Sequence, residues 1–373
     1  MPRTPRFTPA ASVAMSALIS ASALVASLAA SPAQAGSGPV VSVFAHGLDN
    51  PRGLKFGPDG NLYVAEAGPG GAQSTAGQCA QVVPPVGPYT GAETGGRISM
   101  VDPEGNVTTV IDTLPSSQTA PTQGSLRSGV ADVAFIGNTL YGLLAGAGCS
   151  HGVTSLPNGI VRINSNHTAT LVANLSAYQK AHPTAVVEPD DFEPDGTWFS
   201  MVAVRGSLYA VEPNHGEIDR ITPTGNISRV IDVSAHEGHV VPTALTYHGN
   251  FYVGNLSTFP QPIGSSTVWK VNPGGQIKVD ETGFNMILGL AFDSNDRMYV
   301  LEMSGNHHVP TPFTGRVTRL EPNGSRKIIA DGLMFPTGMT YGPDGNLYVS
   351  NFGFGTPPGS GQILKIDLEH WQH

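Results

Sequence analysis

Gly57-Pro58-Asp59-Gly60-Asn61-Leu62-Tyr63-Val64 recurs residue for residue as Gly342-Pro343-Asp344-Gly345-Asn346-Leu347-Tyr348-Val349. The flanks keep the same offset of 285, with Val43-Phe44-Ala45-His46-Gly47-Leu48 answering Ile328-Ile329-Ala330-Asp331-Gly332-Leu333. Self-similarity at both ends of a chain marks a repeat architecture, whose units bury their apolar faces only against one another. Weaker copies lie between, each anchored by a tyrosine in a short apolar strand: Tyr63, Tyr141, Tyr209, Tyr252, Tyr299 and Tyr348. The last three spacings are 43, 47 and 49 residues, close to the roughly 40–50 of a four-stranded propeller blade. The first two, 78 and 68, therefore contain insertions.

Each copy reads as four short strands. In the first, Leu54-Lys55-Phe56 precedes the Pro-Asp-Gly turn and the strand Leu62–Glu66, and segments 97–101 and 107–111 flank Asp102-Pro103-Glu104-Gly105. This second turn recurs as Thr222-Pro223-Thr224-Gly225, Asn272-Pro273-Gly274-Gly275 and Glu321-Pro322-Asn323-Gly324. Proline presets its first corner and glycine supplies the positive φ. Copy two departs, with Asn164-Ser165-Asn166-His167 in that place. The last copy runs out after its third strand, residues 362–366, whereas residues 40–44 align with a fourth strand. The expected fold is an all-β, six-bladed β-propeller closed by its N-terminal strand, which removes the open edge of a stack of blades.

Composition agrees. The 46 glycines and 31 prolines suit an all-β ring of tight turns. The one helix the pattern predicts is short, Leu175–Ala181, ended by Pro183. One β domain over residues 36–373 is expected, preceded by a signal peptide over residues 1–35. There Arg3 and Arg6 lead into an Ala, Ser, Leu and Val stretch that closes on Ala33-Gln34-Ala35. The alternative is a membrane anchor; no segment after the leader reads as a span. The expected location is extracellular or periplasmic, as a monomer. Without Arg3 and Arg6 the formal charge goes from −9 to −11, which argues against nucleic acid or an anionic membrane as partner. Export gives the two cysteines meaning. Cys79 and Cys149 lie in loops after the second strands of adjacent copies, so a disulfide is expected, with free thiols or a metal pair as alternatives.

Function is expected on one face. The turns joining first to second and third to fourth strands are short, and the long segments (67–95, 113–129, 145–158, 174–198, 257–266, 304–314, 352–360) all fall at the other end of the blades. Loops on a rigid scaffold carry binding residues. Three residues past the tyrosines stand Glu66, Leu144, Glu212, Asn255, Glu302 and Asn351. The five polar ones could hold calcium or magnesium at the channel as hard oxygen ligands. They resemble the metal-binding polar ring of regucalcin-type lactonases and paraoxonases. Residues of these types also satisfy backbone groups where strands end. Arg52 and Asp132 are candidate channel residues; Asp132, the one acid on inner strand 130–135, could line the channel or pair with Arg52. His151, His215, His307 and His308 fall in loops of the same face as candidate ligands or bases. In the acidic loop 188–196 an EF-hand is rejected, because position twelve would be Val202.

The run from Asp49 to Gly68, with Cys79, Gly95-Gly96-Arg97-Ile98, Asp132-Val133-Ala134-Phe135 and Ala147-Gly148-Cys149-Ser150-His151, resembles the ScyD/ScyE family. Trp198-Phe199-Ser200-Met201 departs from the segment more often found there in family members. The resemblance implies an exported propeller and carries no catalytic residues with it. Its wider repeat class includes binders and enzymes. The leading expectation is a secreted propeller that binds a small molecule, peptide or glycan on the long-loop face. The alternatives are a metal-dependent hydrolase or lactonase using the Glu/Asn ring, and a lyase similar to the streptogramin-inactivating propellers.

Overall fold

In the computed structural model, which describes residues 39–187 and 192–368, the repeated octapeptide is a turn and the strand that leaves it. Gly60 and Gly345 turn the chain at φ of 83° and 81°. Asp59 then accepts from the Asn61 side chain and the Tyr63 hydroxyl, both at 2.9 Å. Asp344 makes the same two bonds to Asn346 and Tyr348. The tyrosine ring lies against Gly57 or Gly342, where a Cβ would come within 2.7 Å of it. Glycine, aspartate, asparagine and tyrosine are thus one interlocked unit. Burial, and then the carboxylate beside it, pushes each of these phenols up to about 12. Blade five uses the same device, Tyr299 donating to Asp293 at 3.0 Å.

Six antiparallel sheets follow in chain order. Blade one comprises Pro51–Phe56, Leu62–Glu66, Thr90–Val101, Val107–Gln118 and a short fifth strand, Arg127–Ser128. Blade two comprises Val130–Ile136, Thr139–Leu144, Gly159–Ile163 and Ala169–Asn174. Blade three comprises Ser200–Val204, Ser207–Glu212, Glu217–Ile221 and Ile227–Asp232. Pro242–His248, Asn250–Asn255, Ser266–Val271 and Ile277–Phe284 form blade four; Ile287–Phe292, Met298–Glu302, Gly315–Leu320 and Arg326–Leu333 form blade five. Blade six takes Gly338–Tyr341, Leu347–Asn351 and Gly361–Asp367 from the end of the chain and Val40–Leu48 from its beginning. The first strands touch in a closed circle, blade six meeting blade one. The chain is a six-bladed propeller.

The closing strand pairs antiparallel with the last one, from Val40 opposite Asp367 to Leu48 opposite Gly361. It runs beyond the expected residue 44, because Ala45 and Leu48 drop into the core between blades six and one. A similar apolar cluster fills each of the other blade interfaces among the described residues. Two further details refine the sequence reading. The third and fourth strands of blade one extend well past their expected ends as a long hairpin, Gly91 standing opposite Ser117. In copy two His167 replaces the turn glycine and takes φ of 61° itself. The helix Leu175–Ala181 forms as read, capped by Asn174, whose side chain accepts from Ala177 N–H at 2.8 Å. No helix among the described residues is long and apolar enough to cross a membrane. The expected leader, residues 1–35, and Glu188 to Asp191 of the acidic loop lie outside the described residues.

Candidate ligand site at the channel mouth

The five polar residues past the repeat tyrosines are buried, and each is used inside its own blade. Glu66 stands opposite Arg97, and its carboxylate receives Arg97 Nε at 2.8 Å and Nη2 at 2.5 Å. Ser99 Oγ at 2.5 Å and Asp49 N–H at 2.6 Å also donate to it. Glu302 repeats the pattern with Arg316 at 2.7 and 2.9 Å, Thr318 Oγ1 at 3.2 Å and Asn285 N–H at 2.8 Å. Glu212 faces Glu217 instead of an arginine, and accepts from Thr197 N–H at 2.8 Å and His215 N–H at 2.5 Å. Asn255 donates to the Val240 carbonyl and Asn351 accepts from Met334 N–H, both at 2.8 Å. Asp49, Thr197, Val240, Asn285 and Met334 all lead into the first strand of the same blade. The recurring polar residue therefore ties the chain entering five of the six blades to the end of the second strand, Leu144 taking its place in blade two.

This arrangement does not suit a hard cation. Calcium and magnesium take roughly six or more oxygen ligands. Here the oxygens of Glu66 and Glu302 already face guanidinium and N–H donors, and among the described residues no three His, Cys, Asp or Glu side chains gather into a metal-holding group. Buried ion pairs of this kind are satisfied locally and are costly to break.

The other expected residues are placed as follows. Asp132 does not pair with Arg52. It reaches across to blade three, accepting from Met201 N–H at 2.7 Å and Ser200 Oγ at 3.3 Å. A Cβ on Gly53 would come within 1.9 Å of its carboxylate, so it also fills space against blade one. Burial raises its pKa, with Lys55 offsetting part of the effect. His151 is buried beneath Tyr89, ring centroids 5.0 Å apart, with Nδ1 3.0 Å from Ser117 Oγ. Burial lowers it to about 4, so it is neutral at ordinary pH. His215 Nδ1 lies 3.3 Å from Glu212. Burial opposes its charge, but the Glu212 carboxylate outweighs that and raises it; Glu212 is held low in return. Neither histidine lines the cavity below. The His307 carbonyl accepts from the Asn285 side chain, and His308 meets Gln261 twice, its carbonyl accepting the Gln261 N–H and its ring Nδ1 lying 3.1 Å from the Gln261 carbonyl; these contacts join two rim loops. Cys79 and Cys149 form the expected disulfide, Cα atoms 6.3 Å apart.

Where the long loops meet the axis there is a cavity of about 450 Å³, walled chiefly by Phe199, Leu256, Leu288, Met303, Phe335 and Phe354. These come from four blades or their lead-ins, and Arg52 of blade one completes the wall. A second hollow of about 260 Å³ shares Arg52, Phe199, Leu256 and Phe354 with it and adds Tyr89, Arg127 and Glu193. Size and apolar lining are those of small-molecule sites. Local backbone geometry builds the wall. Val241 and Met286 hold φ of 57° and 48° just before their first strands. Their carbonyls thereby receive Leu256 and Met303 N–H, each at 2.9 Å. Phe335, on the wall itself, has φ of 45°. Such conformations cost about 1–3 kcal/mol for side chains of this kind and cluster at functional sites.

Of this wall, sequence reasoning singled out Arg52 alone as a site residue. The available signal lay one position further along. Four residues past the tyrosines stand Ala67, Ala145, Pro213, Leu256, Met303 and Phe352, apolar in every copy.

No family model and no curated protein matches the chain. Solved structures share its fold. A Bacteroides thetaiotaomicron protein of unknown function has a TM-score of 0.55 at 12% identity, over 87% of this chain and 75% of its own. A putative glucose dehydrogenase from Thermus thermophilus gives 0.53 at 17%, over 88% and 100%. A gluconolactonase from Xanthomonas campestris gives 0.52 at 10%, over 87% and 89%. At such identities the likeness is one of fold: the chain is similar in architecture to propeller lactonases and dehydrogenases.

Proposed function

We propose that this chain is a secreted propeller that binds a small organic molecule in the cavity at its channel mouth. The cavity itself carries the reading: about 450 Å³, with aromatic and aliphatic side chains from several blades and few polar groups. A glycan or an extended peptide would bury hydroxyls or amides against Phe, Leu and Met, and unpaired polar groups are costly to desolvate. A compact ligand with an apolar body meets no such penalty. The leader and the disulfide support export. The lactonase alternative has the fold in its favour, but the carboxylates it would need are engaged within their blades.

Fluorescence titration with the neutral apolar probe N-phenyl-1-naphthylamine tests this reading. One probe should bind per chain, and Phe199→Ala with Phe354→Ala should weaken it at least tenfold. Binding that ignores both substitutions would place the site elsewhere and reject the proposal.

A further inference from the structure

The charge balance of the cavity wall narrows the ligand class. Among the described residues Arg52 is the one charged side chain lining the larger cavity, and it lies at the seam between the two hollows, 8% exposed. The hydrogen bond it makes goes to the Arg127 carbonyl, a neutral acceptor. Its guanidinium also lies 5.8 Å from the centre of the Phe354 ring. Arg127, on the wall of the smaller hollow, donates to the carbonyls of Pro69 and Ser125.

Neither arginine has a carboxylate partner among the described residues. Arg97, Arg229, Arg297 and Arg316 all do. Among the described residues Glu193 is the one acid on the smaller hollow's wall, and its Oε1 receives the Tyr89 hydroxyl at 2.7 Å. Burial lowers both guanidiniums, Arg52 to about 10, with no acid among the described residues offsetting it. A cation taken from water without a counter-ion is expensive to keep, and here it faces an open cavity. The carbonyl partners take one N–H of Arg52 and two of Arg127 and leave both charges unbalanced. An arginine fork suits a planar carboxylate or another oxyanion.

We infer that the ligand is a small organic anion, its ring-bearing apolar body against Phe199, Phe335 and Phe354 and its single oxyanion group against Arg52 and Arg127. This rests on the cavity being the binding site, and it excludes cations and neutral lipids as best-fitting ligands. Phe354 serves both ends, packing on the ligand body while holding the Arg52 guanidinium in place.

Two probes with the same fused-ring body separate this inference from the cavity reading: 8-anilinonaphthalene-1-sulfonate carries an anionic group, and N-phenyl-1-naphthylamine carries none. The wild-type chain should bind the sulfonate at least tenfold more tightly. Arg52→Met should lower sulfonate affinity by roughly 10- to 100-fold, the range of a lost charge-assisted hydrogen bond. It should leave the neutral probe within about twofold, a range too small to mark a lost bond. Arg127→Met is read in parallel, and is decisive should Arg52→Met fail to fold by circular dichroism. A sulfonate-to-neutral ratio near one, or one unchanged in both variants, overturns the anion inference and leaves the cavity standing. If neither probe binds, both readings fail.

Discussion

Leu48 offers a test of ring closure in the intact chain. It lies at the end of the N-terminal strand, fully buried among Leu54, Leu62, Val64, Val101, Tyr348 and Ile363. Those residues belong to blades one and six, so the space Leu48 fills exists only while the strand is docked. Leu48→Ala should therefore cost about 2–5 kcal/mol, as for other buried leucines. Val41, on the same strand but 40% exposed, supplies the control; Val41→Ala should stay within about 0.5 kcal/mol. Unfolding entropy near 2.1 cal/mol/K per residue, over roughly 330 ordered residues, amounts to about 0.7 kcal/mol/K. The Leu48 loss then corresponds to about 3–7 °C in Tm, and the control to less than 1 °C. Guanidinium denaturation and calorimetry, run on both variants beside wild type, supply the numbers. Equal midpoints for Leu48→Ala and Val41→Ala would mean that the strand contributes no packed core, and the closure argument would be wrong.

Removing the disulfide opens a loop of 70 residues, for which the chain-entropy account gives about 4 kcal/mol. A Cys79→Ser, Cys149→Ser protein as resistant to denaturant as the oxidised one would refute that. Glu302→Gln leaves the Arg316 guanidinium with a neutral acceptor and should destabilise by about 2–4 kcal/mol, while millimolar calcium should leave the melting of both proteins unchanged. A calcium-dependent rise in wild type that Glu302→Gln abolishes would restore the metal ring. His151 titrates near 4 folded and near 6.5 unfolded, so between these values the unfolded chain binds more protons. Its contribution is whole above about pH 6.5 and is lost as pH falls through that window, on the order of 3 kcal/mol in all. His151→Gln should flatten the stability profile there, and an unaltered slope in urea titrations at pH 4–6.5 would rule the residue out as its source.

The repeat, the closure and the disulfide were legible because each follows from counting. The octapeptide interlocks glycine, aspartate and tyrosine by local geometry, so its recurrence carries its structure with it. The last copy lacks a strand, and the chain start supplies one of the same kind. The two cysteines occupy corresponding loops of neighbouring copies. The surroundings of the polar ring were not legible, because the arginine partners of Glu66 and Glu302 depend on the register between second and third strands. Tight turns fix register in the other hairpins. Between Glu66 and Arg97 the chain instead passes through a long loop, so nothing local reveals that the two stand opposite each other. At the 285 offset, Phe335 and Phe354 of the cavity stand where the first copy carries Asn50 and Pro69, so the residue type does not recur and repeat reasoning passes over it.

That contrast between shared and unshared positions bears on where the proposed site lies. A residue type needed at the same place in nearly every blade answers a need every blade has, and the tie from Glu66, Glu212, Asn255, Glu302 or Asn351 to its own lead-in is such a need. A single ligand on the axis of a six-fold pseudo-symmetric ring meets six different neighbours and can be oriented only where they differ. Arg52 is present in blade one, where the corresponding inner-strand position of blade two carries Ala131 and that of blade five Leu288. All three side chains line one hollow or the other. One cation opposite aliphatic walls gives the cavity a charged end and an apolar end, and that polarity, absent from the repeat, is what would orient an amphipathic anion.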